Sequence, residues 1–172
     1  MDDPAEFGAV FDRHAPTIFR FVAHRLGRQA AEDVLADTFT RAFAGRHRAY
    51  TVDGSLRAWL YKIASNLIAD ELRRRERSAS ADERLRANHV PKRGVQFAFD
   101  EGVAATDPEL LAALEGLRDV EREALLLLAW GELSYAEIAV VTGVPIGTVR
   151  SRLNRARSHV RAVLDASASE VT

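Results

Sequence analysis

In every patterned segment of this 172-residue chain the apolar side chains recur at steps of three and four, and no segment alternates at steps of two. That period admits helices and excludes a sheet-built fold, because a strand places alternate residues on one face. The first stripe is Phe7, Val10, Phe11, Ala15, Ile18, Val22 and Leu26. Pro16 interrupts it; proline lacks an amide donor and crowds the preceding turn, so a kink or break is expected near Ala15. A second helix is expected from about Gln29 to Ala44, with Val34, Leu35, Thr38, Phe39, Ala42 and Phe43 inward. Ser55 is placed to cap a third, whose stripe (Leu56, Trp59, Leu60, Ile63, Ala64, Leu67, Ile68, Leu72) runs out into Arg73, Arg74, Arg75 and Arg77. From Ser78 the period dissolves into Ser, Ala, Asp, Arg, Gly and Pro, the composition of a flexible linker. It resumes at Pro108, behind a potential N-cap at Asp107, with Leu110, Leu111 and Leu114, then Val120, Ala124, Leu125, Leu127 and Leu128. The expected fold is all-α: two small helical domains over residues 1–77 and 107–166, a linker over 78–106, and a tail over 167–172.

The segment from Ser134 to Leu164 is the most specific. Ser134 and Glu137 have the spacing of a capping box, in which each side chain satisfies an orphan amide at a helix start. Ala139, Gly143 and Val149 supply a small residue for close helix crossing, a turn glycine four later and a buried β-branched residue six after that, the offsets of a helix-turn-helix. On the second helix of that unit the apolar line is Val149, Leu153, Ala156, Val160, Val163 and Leu164. At 100 degrees per residue, the opposite face carries Ser151, Asn154, Arg155 and Ser158, flanked by Arg150, Arg157 and Arg161. Serine, asparagine and arginine read base edges in a major groove, and flanking arginines neutralise phosphates. Arg152 lies nearer the buried side.

The net charge of −1 says little about nucleic acid, but its distribution says more. No acidic residue occurs between Ile138 and Leu164, whereas acids gather at Glu32, Asp33 and Asp37 and between Asp100 and Glu123. One surface therefore suits a polyanion and another a protein. There is no cysteine, and His14, His24, His47, His89 and His159 lack ligand spacing, so neither a metal nor any other cofactor is expected. No Gly-rich phosphate loop, HExxH or nucleophile elbow occurs, which argues against an enzyme. Without an apolar run of membrane-spanning length or a basic-then-apolar leader, the expectation is a cytoplasmic protein with no membrane insertion.

Two further stretches carry a family resemblance. Ala31 to Phe39 (AEDVLADTF) resembles the polymerase-binding helix of bacterial sigma factors, and Ser55 to Leu67 (SLRAWLYKIASNL) resembles their helix at the melted promoter element. Ser134 to Arg157 resembles the family's last promoter-reading domain. Order and spacing fit the extracytoplasmic-function (ECF) group, which keeps only the second and fourth sigma domains. The resemblance implies a factor that binds core RNA polymerase and directs initiation at promoters with −35 and −10 elements. It assigns Asp33, Ala36, Asp37, Thr40 and Arg41 to polymerase. Lys62, Asn66 and the loop from Thr51 to Ser55 go to the −10 element, and Arg150, Ser151, Asn154 and Arg155 to the −35 element; Arg157 and Ser158 extend that last face. Tyr61, off the apolar stripe, is added as a platform for a melted base, while Trp59, on the stripe, is expected in the core. An anti-sigma protein is a further implied partner. Ala36 stands where the family commonly has glutamine, which weakens one expected polymerase contact. The alternative is a helix-turn-helix repressor or activator that binds a palindrome as a dimer without sigma activity.

Overall fold

The computed structural model describes residues 4–46, 55–85 and 108–170. Among them there are seven helices and no strand: α1 Pro4–Leu26, α2 Arg28–Ala44, α3 Leu56–Leu85, α4 Pro108–Glu115, α5 Asp119–Ala129, α6 Tyr135–Thr142 and α7 Ile146–Glu170. Thr51, Asp107 and the linker beyond Leu85 lie outside the described residues.

α1 passes through Pro16 without a break. The proline is exposed, so the carbonyl deprived of its helical partner faces water, and the neighbouring Thr17 hydroxyl donates to the His14 carbonyl at 3.0 Å. α3 also exceeds expectation, continuing to Leu85 rather than ending near Arg77. Upstream of the extension, ion pairs within the helix join Arg73 to Asp70, and Arg74 and Arg75 to Glu71. α7 likewise continues to Glu170, into the segment expected as a tail.

In the first domain α1, α2 and α3 bury Ile18, Phe21, Val22, Ala31, Phe39, Leu60, Ala64 and Ile68. Two aromatic side chains expected inside lie at its rim. Phe11 is 41% and Phe43 39% exposed, each holding one edge against a ring within, Phe39 and Phe7 respectively. Arg46 covers the outer face of Phe43, its guanidinium 4.3 Å from the ring centroid.

The second domain is assembled around two tight joints. Arg122, on α5, donates to the Leu114 and Glu115 carbonyls at 2.8 Å and to the Leu117 carbonyl at 3.0 Å, satisfying acceptors left open where α4 ends. Gly116 lets α4 approach α7, because a β-carbon there would fall 2.6 Å from the His159 Nε2. One apolar cluster then runs from Phe7 in α1 to Leu153 in α7, so the two domains share a continuous core.

Candidate nucleic-acid interface

The helix-turn-helix forms as its spacing predicts. The Ser134 hydroxyl accepts from the Glu137 amide at 3.2 Å, and the Glu137 carboxylate accepts from the Ser134 amide at 2.8 Å. Gly143 ends α6 at φ 68°, a left-handed geometry that a side chain disfavours, and the Val144 amide closes on the Ala139 carbonyl at 3.1 Å. Val149, Leu153 and Ala156 have no exposure, which leaves the opposite side of α7 to solvent.

On that side Arg150, Ser151, Asn154, Arg155, Arg157 and Ser158 are all exposed. They are not equally free. The Ser151 hydroxyl donates back to the Gly147 carbonyl at 3.0 Å, and Arg157 donates to the Tyr135 hydroxyl at 3.0 Å. Arg155 is committed further, since its Nε donates to the Glu121 carboxylate of α5 at 2.7 Å. Glu121 is 6% exposed and also accepts from Arg118. The Arg118 hydrogen bond and that of Arg155 outweigh burial and hold its carboxyl at about 2. Folding therefore gains from this carboxylate above its ordinary value of 4.5 and loses that gain as pH falls from there toward 2. Arg155 thus braces α7 against α5 through its Nε. Sequence reading overlooked Glu121, although a signal existed: Leu117, Glu121, Ala124 and Leu128 keep helical spacing, and a carboxylate on such a stripe requires a cationic partner.

α2 presents Asp33, Ala36, Asp37, Thr40 and Arg41 together on one exposed face. Asp33, Asp37 and Arg41 line a shallow groove whose other wall is Asp70, Glu71, Arg74 and Arg77 of α3.

The residues expected on α3 separate. Asn66 is exposed, and Ser55 and Lys62 are half-buried. Tyr61 is corrected: it has no exposure and packs edge-on against Phe21 of α1, ring centroids 5.2 Å apart, so it cannot stack on a base. Burial pushes its phenol pKa upward. Trp59 is half-buried rather than internal, its indole lying against Gly45. Trp59 still packs against the core cluster; the stripe misassigned Tyr61 because α3 is covered from two directions, by α1 and α2 on one side and by α6 on another.

Contacts between the two domains engage both the residues proposed for DNA and others outside that set. Ser55 caps α3, accepting from the Ala58 amide at 3.2 Å, and its hydroxyl lies near the Glu137 carboxylate, helping to lower that group's pKa. Lys62 donates to the Val141 carbonyl, near the negative end of α6, at 2.7 Å. Arg57 meets Glu132 at 3.2 Å and Arg25 meets Glu123 at 3.9 Å. His24 lies against Trp130, ring centroids 4.0 Å apart.

Burial, reinforced by the positive charges of Arg20 and Arg122, lowers the His24 pKa to about 4. The unfolded ring binds its proton below 6.5 while the packed ring stays neutral to about 4, so stability falls with pH across that window. The slope reaches about 1.4 kcal/mol per pH unit. Denaturant midpoints for wild type and His24→Gln between pH 7 and 4.5 test this, and equal pH dependence refutes it.

Comparison with known proteins agrees with this geometry. Residues 10–78 match the family model for Sigma-70 region 2, and residues 108–160 match that for Sigma-70, region 4. The chain is 35% identical over 162 residues to the ECF RNA polymerase sigma factor SigE of Mycolicibacterium smegmatis, covering 92% of this chain and 61% of that protein. It is 34% identical over 157 residues to the ECF RNA polymerase sigma factor SigC of Mycobacterium tuberculosis, covering 90% of this chain and 80% of that one. Among solved structures, RpoE of Bartonella quintana, crystallised with the anti-sigma factor NepR, aligns at a TM-score of 0.73 and 25% identity, covering 93% of this chain and 97% of RpoE.

The helix-turn-helix and the three-helix body beside it define a two-domain sigma protein of transcription initiation. Within that class, the chain belongs to the ECF RNA polymerase sigma factors. Among the described residues no helix is long and apolar enough to cross a membrane.

Proposed function

We propose that this chain binds core RNA polymerase in the cytoplasm and directs initiation at promoters carrying a duplex −35 element and a melted −10 element. Residues 1–77 act as the region-two domain and residues 107–166 as the region-four domain. The observation that carries the reading is the acid-free outer face of α7, on a helix held by a capping box and a glycine turn. Arg150, Ser151 and Asn154 read the −35 duplex, Arg155 contributes its outer nitrogens, and Arg157, Ser158 and Arg161 hold phosphates. Asp33, Asp37, Thr40 and Arg41 meet polymerase, with Ala36 filling that surface without a polar contact. Lys62, Asn66 and the segment from Thr51 to Ser55 engage the melted strand, and an anti-sigma protein regulates the chain. The region-two match over residues 10–78 favours this reading over a dimeric repressor, which has no need of a polymerase-binding body.

In vitro transcription with core polymerase over a promoter library tests the whole, and the absence of any directed start site refutes it. Two substitutions test the division of labour on α7. Asn154→Ala is expected to weaken binding by about 1–3 kcal/mol and to relax preference at one base pair. Arg161→Ala is expected to weaken all sequences alike and to flatten the salt dependence by about one counterion. Identical sequence profiles for the two variants would reverse the assignment.

A further inference from the structure

Gly147, in the first turn of α7, is a glycine for which the fold itself has no use. We propose that its missing side chain sets how deeply α7 enters the −35 major groove, which makes Gly147 a specificity-determining position beside the residues that read bases. The inference rests on the preceding reading of α7 as the −35 helix.

Glycine lowers the stability of a helix relative to alanine, because its backbone has more freedom to lose on folding, so a glycine inside a helix calls for a reason. The other described glycines, Gly8 apart, find theirs within the protein. Gly27 and Gly143 take left-handed φ values of 85° and 68°, and a β-carbon at Gly45, Gly116 or Gly131 would fall within 3.2 Å of Arg41, His159 or Leu127. Neither condition holds at Gly147. Its φ is not left-handed, and a β-carbon there would meet no atom within 4 Å. The residue is exposed, so a side chain would point into solvent. Nothing inside the protein forbids one, which leaves a partner outside it.

Direction identifies that partner. Gly147 points about 160 degrees away from the buried line through Val149, between the directions of Ser151 and Asn154, the residues assigned to base edges. Ser151, one turn further on, keeps its hydroxyl down on the Gly147 carbonyl at 3.0 Å, so no neighbouring side chain fills the gap. A helix with its side chains is about 10–12 Å across, and the major groove is about 12 Å wide, so α7 enters with little slack. The N-terminal residues of such a helix come nearest the bases. A methyl group at position 147 would therefore stand between the first turn and the base edges, and would hold Arg150, Ser151 and Asn154 back together. Gly8 supplies the contrast: it is equally exposed and equally unconstrained, but it lies on α1, outside the residues assigned to DNA and to polymerase.

Full-length Gly147→Ala, the bulkier Gly147→Leu and the control Gly8→Ala are compared with wild type in two measurements. One is the melting midpoint, and the other is the affinity of the reconstituted holoenzyme for a promoter duplex that wild type selects from the library. Both Gly147 variants are expected to melt at or above the wild-type midpoint, since each gains helix propensity. Promoter affinity should nonetheless fall at least fivefold with alanine and at least twentyfold with leucine. Preference should relax at several −35 base pairs, not at the single position lost in Asn154→Ala. Gly8→Ala should melt no lower than wild type and bind as wild type does. A leucine variant that binds as tightly as wild type overturns the proposal. So does a midpoint clearly below wild type in either Gly147 variant, which would return the glycine to the fold. Arg150→Ala in the same assay keeps the parent reading separate. If it loses binding while Gly147→Leu does not, the depth role alone fails; if neither loses binding, the reading of α7 fails and this inference with it.

Discussion

Asp37→Arg is expected to lower association with core RNA polymerase at least tenfold, about 1.4 kcal/mol or more, with helical content and −35 duplex affinity unchanged. Asp37 is exposed in the middle of α2, so no packing is lost, and it shares one face with Asp33 and Arg41. Reversing its charge sets a cation where the partner surface is matched to an anion, and such juxtapositions cost affinity directly. Titration of labelled polymerase with wild type and variant measures the change. Equal association would remove α2 from the polymerase surface and leave its acids as ordinary solvated charges.

The largest stability effect should come from Leu153→Ala. Leu153 has no exposure and stands in the same core cluster as Ile138 and Val149, so truncation leaves a cavity between the two helices of the DNA-reading unit. Such truncations cost about 2–5 kcal/mol, against a total domain stability of roughly 5–15 kcal/mol. The melting midpoint should fall by roughly 10 °C or more, and −35 binding should fail as α7 loses its seat. Arg150→Ala should lose the binding with no change in midpoint. Calorimetry beside duplex binding separates the two, and a Leu153→Ala midpoint within 2–3 °C of wild type would mean that the helix pair is not packed as described.

How far the chain itself announced these features varied with their range. The capping box, the turn at Gly143 and the buried line through Val149 and Leu153 were all legible, because each depends on residues within one or two turns of each other. The extents of α3 and α7 were underestimated, since their last turns carry no apolar stripe and persist through local helical bonding. Pro16 misled in the opposite direction: a proline on the wet side of a well-packed helix costs one hydrogen bond, and the buried neighbours Ala15 and Ile18 outweigh it.

Periodicity along the chain determined that this protein is helical and which side of α7 faces outward. It could do so because those properties follow from the spacing of apolar side chains on a single helix. What covers α3, where Tyr61 and Trp59 end up, and which partners Lys62 and Arg155 take were decided only in three dimensions. Val141 lies 79 residues from Lys62 and Glu121 lies 34 from Arg155. A helical stripe shows that a face is buried, not how many neighbours bury it, and an ammonium or guanidinium accepts any well-placed oxygen. The tertiary fold alone brings those oxygens within reach.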